Sequence, residues 1–267
     1  MIFKKIDICE KYPDANVTFY LHEEPSDPRP MIVVCPGGGY HFLSGREAAP
    51  IAEYYYNVGF NACILRYSIA PKATDYAPLI QVALTVKYVR EHASEMNIAE
   101  NKIFTCGFSA GGHLAASAGI LWNIPEVKAA MGDAPEGINR PDGMVLSYPV
   151  ITSGDQAHKG SISNLVGKTD YSEEEGNRFS LEKHVDPTTP PMFIWHTVTD
   201  TCVPIRNTTM LIDAYLNNGL LFEAHIYPKG PHGLSLANEI TWEGNPDMKD
   251  AHIAGWIDLA VEWIKLQ

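Results

Sequence analysis

Positive charge is scarce in this sequence: 20 Lys and Arg stand against 32 Asp and Glu over 267 residues, a formal net charge of −12. A surface with that balance repels phosphate backbones and anionic headgroups, so nucleic acid and membrane surfaces are poor partners. Long apolar runs are missing as well. No stretch approaches the roughly 18 to 20 uninterrupted apolar residues that cross a bilayer. The segment from Met1 to Lys11 carries Lys4, Lys5, Asp7, Glu10 and Lys11 where a secretory signal needs a continuous apolar core. These absences predict a soluble, cytoplasmic protein. The five cysteines, Cys9, Cys35, Cys63, Cys106 and Cys202, are odd in number and lack CxxC spacing, so free thiols are expected rather than a disulfide framework. Ten histidines form no HxH or HExxH pair, and neither a metal site nor a cofactor is expected. Internal repeats, low-complexity tracts and Pro/Gly/Ser-rich linkers are absent too, which favours a single domain over residues 1–267.

What remains is an ordinary globular composition, 45% hydrophobic and 19% charged, with side chains enough for a large core. Val17, Phe19 and Leu21 alternate as in a strand with one buried face, and Pro25, Pro28 and Pro30 then interrupt regular structure, a pattern that suits antiparallel edge material. Short apolar runs follow at Met31 to Cys35, Ala62 to Leu65, Ile103 to Cys106, Met144 to Leu146, Met192 to Trp195 and Phe222 to Tyr227. Such runs mark strands covered on both faces. Helical spacing is clearest from Pro78 to Met96, where Leu79, Val82, Ala83, Val86 and Val89 recur at three and four residues. Further helices are predicted over Ala110 to Trp122, Ile205 to Asn218 with Gly219 as its stop, and Asp250 to Leu266. Alternating strands and helices imply an α/β fold, a mostly parallel sheet with helices on both faces. Segments 123–142 and 152–189 break the rhythm and are expected as irregular excursions near the carboxyl ends of the strands, where such sheets place ligands.

The chemistry concentrates in Ile103-Phe104-Thr105-Cys106-Gly107-Phe108-Ser109-Ala110-Gly111-Gly112-His113. An apolar strand runs into Gly-x-Ser-x-Gly and then into a small-residue helix, the context of a nucleophile elbow. A serine at the tip of so sharp a turn has strained backbone angles, and side chains at the two flanking glycines would collide. Ser109 is thus the candidate nucleophile. After the first apolar strand, Pro36-Gly37-Gly38-Gly39-Tyr40 lets backbone amides approach a ligand, and Gly38, Gly39 and Ala110 are the candidate oxyanion donors. A phosphate-cradling loop is the rival reading of these glycines; neither GxxxxGK[ST] nor GxGxxG is present. His232, bracketed by Pro231 and Gly233 after a late strand, is the candidate base. Asp200, closing the segment after Met192 to Trp195, is the candidate acid. Asp213 falls inside a predicted helix and Asp186 lies before its strand rather than after it, which leaves Asp200 preferred. Ser, Asp, His is the chain order of nucleophile-elbow enzymes.

These stretches, with Pro231-His232-Gly233, resemble the esterases and lipases of the α/β-hydrolase superfamily. They are most similar to bacterial acetyl xylan esterase-like and hormone-sensitive-lipase-like carboxylesterases. One departure is visible: where many relatives read His-Gly-Gly-Gly, this sequence has Pro36-Gly37-Gly38-Gly39. The resemblance implies an α/β-hydrolase fold with a small lid or insert in segments 123–142 and 152–189. It also implies a serine carboxylesterase that hydrolyses short acyl esters, acetyl above all, of xylo-oligosaccharides or other sugars. Tyr40, His41 and Trp195, with Trp242, are the side chains expected to stack on or bond a sugar. The expected partner is a small-molecule ester; a homodimer is allowed by the sequence without being specified by it. Two alternatives stay open: a serine peptidase or arylformamidase-like amidase on the same fold, and a ligand-binding homologue without catalysis.

Overall fold

A computed structural model describes residues 1–23 and 27–267. Among them, eight strands form one sheet in the order β1-β2-β4-β3-β5-β6-β7-β8: β1 Ile2–Asp7, β2 Asn16–Leu21, β3 Arg29–Cys35, β4 Asn61–Arg66, β5 Ile98–Phe108, β6 Gly143–Ser147, β7 Met192–Thr197 and β8 Phe222–Tyr227. β1 pairs antiparallel with β2 and β2 antiparallel with β4, and every later pairing is parallel. The apolar runs read from the sequence are the cores of β3 to β8, and β2 is the alternating segment. β1, IFKKID, was not foreseen: five of its six residues are exposed and the sixth is half-buried, so it bears no apolar signature.

The central strands are continuous apolar runs because they feed two cores at once. Along β3, Met31, Val33 and Cys35 point into one core while Ile32 and Val34 point into the other; in a strand, successive side chains face opposite sides. On the first side lie α2 (Ala77–Glu91) and α3 (Ala110–Ile120), through Val82, Val86 and Leu114. On the second lie α1 (Ala49–Asn57) and α9 (Trp256–Leu266), through Ile51, Tyr55, Trp256 and Ile264. All eleven residues of α3 are buried, and its Ala and Gly content lets it sit close against β5 and β6.

Several boundaries differ from expectation for local reasons. Pro30 lies within β3 rather than before it, at the point where the β3–β5 register shifts between Arg29 and Met31; a bulge is where a strand tolerates a residue that cannot donate. Pro25 lies outside the described residues. The helix expected from Pro78 to Met96 stops at Glu91. The helix expected over Asp250 to Leu266 is two: α8 (Ala251–Ala254), capped by the Asp250 carboxylate accepting from the His252 and Ile253 amides, and α9, with Gly255 between them. Segments 123–142 and 152–189 carry structure of their own: α4 (Pro125–Met131) in the first, α5 (Lys159–Val166) and α6 (Glu173–Asn177) in the second. α7 (Arg206–Asn217) ends before Gly219, whose φ is +66°. Among the described residues no helix is long and apolar enough to cross a membrane.

Candidate active site

β5 runs directly into α3, and Ser109 occupies the corner with φ 54° and ψ −118°, a conformation costly for a residue with a side chain. The strain is held by the surroundings: the Ser109 amide donates to Ser147 O (3.0 Å), and its carbonyl accepts from the amides of His113 (3.0 Å) and Val150 (3.1 Å). The two flanking glycines are needed for different contacts. A Cβ on Gly107 would lie 2.0 Å from Gly111 O, across the turn as expected. One on Gly111 would lie 2.1 Å from Cys35 O, so this glycine instead lets the start of α3 approach the end of β3.

Ser109, Asp200 and His232, 123 residues apart at the extremes, meet at the carboxyl ends of β5, β7 and β8. His232 Nε2 lies 2.8 Å from Ser109 Oγ, and His232 Nδ1 lies 2.6 Å from Asp200 Oδ2. Asp200 is held on all sides. Its Oδ1 accepts from the amides of Cys202 and Val203, each at 2.9 Å, and its Oδ2 also accepts from His196 Nε2 at 3.1 Å. Burial alone would raise its pKa; the hydrogen bonds from His196 and His232, with the His232 charge and the Val203 amide, outweigh that and hold it well below the usual carboxylate range. A carboxylate that stays ionised accepts from Nδ1–H, and that leaves Nε2 as the acceptor facing the serine hydroxyl. The other imidazole at Asp200 belongs to His196. It is a fully buried second imidazole that orients the carboxylate, and its own Nδ1 lies 2.8 Å from Thr208 Oγ1. Asp213 is exposed on α7, and Asp186 accepts from Thr188 in its own turn.

The glycine loop after β3 closes beside the serine. Gly38 has φ +129°, and a Cβ there would lie 2.1 Å from Phe42 O, so only glycine fits the turn. Among the described residues, the amides of Gly38, Gly39 and Ala110 have no protein acceptor. Gly37 is different: its amide donates to Glu47 Oε2 at 2.9 Å. Glu47 had no signal in the sequence. It is 3% exposed, and its other oxygen accepts from Tyr148 Oη at 2.7 Å, while Tyr148 Oη accepts from the Ser235 amide at 2.9 Å. The Tyr148 ring stands edge to face with the His232 ring, 5.0 Å between centroids. A carboxylate and a phenol thus tie the glycine loop to the histidine loop. Arg46 adds a second tie, donating to Gly233 O (2.7 Å) and Thr241 O (2.8 Å).

A cavity of about 400 Å³ opens over Ser109 and His232, with Gly38, Gly39 and Glu47 in its wall. His41 lies in its wall. Tyr40 and Trp195 do not, and both expectations are corrected. Tyr40 is 1% exposed, turned inward at φ +57°, with its hydroxyl 2.8 Å from His113 Nδ1. Trp195 is fully buried, donates to Ser147 Oγ at 2.8 Å and stacks on Trp256. Both rings are core material whose sequence neighbours happen to be at the site. Trp242 lies under the Lys249 ammonium, 4.2 Å from the ring centroid, and is not part of the cavity wall. Segment 152–189 contributes His158, Gly160 and Asn164 to the wall, and Asn164 Nδ2 donates to Gly39 O at 2.8 Å. Segment 123–142 borders a separate cleft with Trp122.

The sheet order, the strained serine corner and the convergence of three loops on one cavity define an α/β-hydrolase fold, and several known proteins similar to this chain carry esterase names. The acetyl ester-xyloside bifunctional hydrolase from Caldicellulosiruptor lactoaceticus superposes with a TM-score of 0.80 at 32% identity, covering 94% of this chain and 87% of that one. Endo-1,4-beta-xylanase B of Butyrivibrio fibrisolvens is 36% identical over 237 residues, 86% of this chain and 36% of that protein. The acetylxylan esterase of Xylanibacter ruminicola is 29% identical over 251 residues, 91% of this chain and 48% of that protein. The chain therefore spans between about a third and a half of the length of these two relatives. The BD-FAE family model matches residues 17–215, and the chain belongs to that family.

Proposed function

We propose that this chain is a serine esterase that removes short acyl groups, acetyl above all, from hydroxyls of xylo-oligosaccharides or related sugars. The observation that carries the reading is the pair of contacts at His232, 2.8 Å to Ser109 Oγ and 2.6 Å to Asp200 Oδ2, on the floor of an open cavity. In the first step His232 Nε2 takes the Ser109 proton as Oγ attacks the ester carbonyl, while Asp200 stabilises the imidazolium through Nδ1–H. The carbonyl oxygen, now negative, is received by the unpaired amides of Gly38, Gly39 and Ala110, and the positive end of α3 points toward it. Collapse expels the alcohol, which takes the proton from Nε2 and leaves an acyl-serine. Water, deprotonated by the same nitrogen, then attacks the acyl carbon; the second collapse returns the proton to Ser109 and frees the carboxylic acid.

The acetyl and xylose parts of the proposal draw on the relatives named an acetylxylan esterase and an acetyl ester-xyloside hydrolase. A cavity of about 400 Å³ suits a small acyl group with a sugar-sized alcohol. A panel of 4-nitrophenyl acetate, butyrate and octanoate, acetylated methyl xyloside, a peptide anilide and an aryl formamide tests it. The expected result is hydrolysis of the acetyl esters with rates falling as the acyl chain lengthens. Preferential cleavage of the anilide or the formamide would overturn the ester reading, and inertness toward acetylated xyloside would overturn the sugar reading.

A further inference from the structure

The catalytic scheme uses one imidazole, yet the cavity wall holds two more, His41 and His158, and the position of His158 is fixed. His158 is the N-cap of α5, and its Nδ1 accepts from Ser161 Oγ (2.8 Å) and from the Ser161 amide (3.3 Å). With two donors aimed at Nδ1, the proton of the neutral ring must reside on Nε2. Among the described residues, Nε2 has no protein partner. Burial lowers the ring's pKa and the nearby His232 lowers it further, against the opposing pull of Asp200, so the neutral form is favoured.

The ring lies in the cavity wall with Ser109 and His232. Its Cε1, bonded to Nε2, packs along the glycine loop; a Cβ built on Gly39 would sit 3.7 Å from it. The same helix grips that loop again through Asn164 and Gly39 O. A rigid, uncharged N–H donor therefore stands in the wall beside the loop proposed to receive the ester oxygen. An uncharged donor matches an uncharged acceptor. A sugar ester carries such acceptors on the ring carbons next to the esterified one, whereas a simple alkyl or aryl ester has none.

We propose that His158 is a substrate-positioning residue whose Nε2–H bonds a hydroxyl neighbouring the ester on the alcohol side of the substrate, so that the site prefers esters of vicinal diols. This rests on the esterase reading of Ser109 given above and specifies the alcohol that reading takes. Its role is separable from capping, because His158→Asn keeps a side-chain acceptor suited to an N-cap while its amide N–H falls short of the place the ring Nε2–H reaches.

The test compares cyclohexyl acetate with trans-2-hydroxycyclohexyl acetate, which share the acyl group and differ by one hydroxyl. Wild type should favour the hydroxy ester by about threefold to tenfold in kcat/KM, the net worth of one neutral hydrogen bond. His158→Asn should bring the two within twofold of each other, by raising KM for the hydroxy ester several-fold more than for cyclohexyl acetate. Wild type that does not separate the pair, or a variant that loses rate equally on both, overturns the assignment of His158 while the esterase reading stands. Failure of wild type to hydrolyse any acetate overturns that reading, and the assignment falls with it.

Discussion

Removing the Glu47 carboxylate at the wall of the serine cavity should cost several kcal/mol of stability, because two buried donors depend on it. Glu47 is 3% exposed and accepts from the Gly37 amide (2.9 Å) and the Tyr148 hydroxyl (2.7 Å). In Glu47→Ala two buried groups, the Gly37 amide and the Tyr148 hydroxyl, lose their acceptor. At roughly 1 to 3 kcal/mol for each orphaned group, the loss of stability is about 2 to 6 kcal/mol. Urea unfolding followed by tryptophan fluorescence should show a lower midpoint with an unchanged slope. Tyr148→Phe breaks the same chain and also strands the Ser235 amide, so the double variant should be less destabilised than the sum of the singles, by about 0.5 to 3 kcal/mol. The loosened glycine loop should lower kcat for 4-nitrophenyl acetate while KM moves little, since the donors it carries act on charge that develops in the reaction. A Glu47→Ala loss under about 0.5 kcal/mol, the range of an ordinary surface change, or strict additivity with Tyr148→Phe, would refute the reasoning.

Two further outcomes follow from packing and from titration. Gly107→Ala would place a Cβ 2.0 Å from Gly111 O, a backbone atom that cannot step aside, whereas Gly45 has open space around it; Gly107→Ala should fail to yield folded protein while Gly45→Ala expresses and unfolds like wild type, and a well-folded Gly107→Ala would contradict the elbow geometry. Burial pushes the His113 pKa down from 6.5 to about 4, so below pH 6.5 the unfolded chain binds a proton that the folded chain refuses until about pH 4. The His113 contribution is thus fully present above pH 6.5 and lost as pH falls through that window, by up to about 3 kcal/mol. The stability difference between wild type and His113→Gln should change accordingly between pH 7 and pH 4.5, and a difference independent of pH would contradict it.

Much of this architecture can be read from local pattern. The strands β3 to β7 are legible because both faces are buried along their cores, β8 is legible from its apolar run although it is only half-buried at the sheet edge, and the serine corner is legible because strand, Gly-x-Ser-x-Gly and small-residue helix are contiguous. Asp200 and His232 are legible because each follows an apolar strand. β1 escapes because its residues are almost all exposed and, among the described residues, its one partner in the sheet is β2. Tyr40 and Trp195 mislead because nearness in sequence to a motif says nothing about the direction of a side chain; both turn into the protein. Glu47 and His196 escape for a different reason. Glu47 gains meaning from the folded-back Gly37 amide and from Tyr148, 101 residues away, and His196 only once the turn after β7 folds Asp200 back onto it. His158 lies in a stretch without periodicity, and nothing but the fold places it opposite the glycine loop.

The central claim is that one hydroxyl in this chain becomes a nucleophile, and covalent capture asks that directly. After incubation with a fluorophosphonate, peptide mass spectrometry of wild type should find a single adduct, on Ser109, and Ser109→Ala should remain unlabelled with ester hydrolysis lower by roughly 10⁴-fold to 10⁶-fold. An adduct on another residue, or near-normal turnover by Ser109→Ala, would contradict the account.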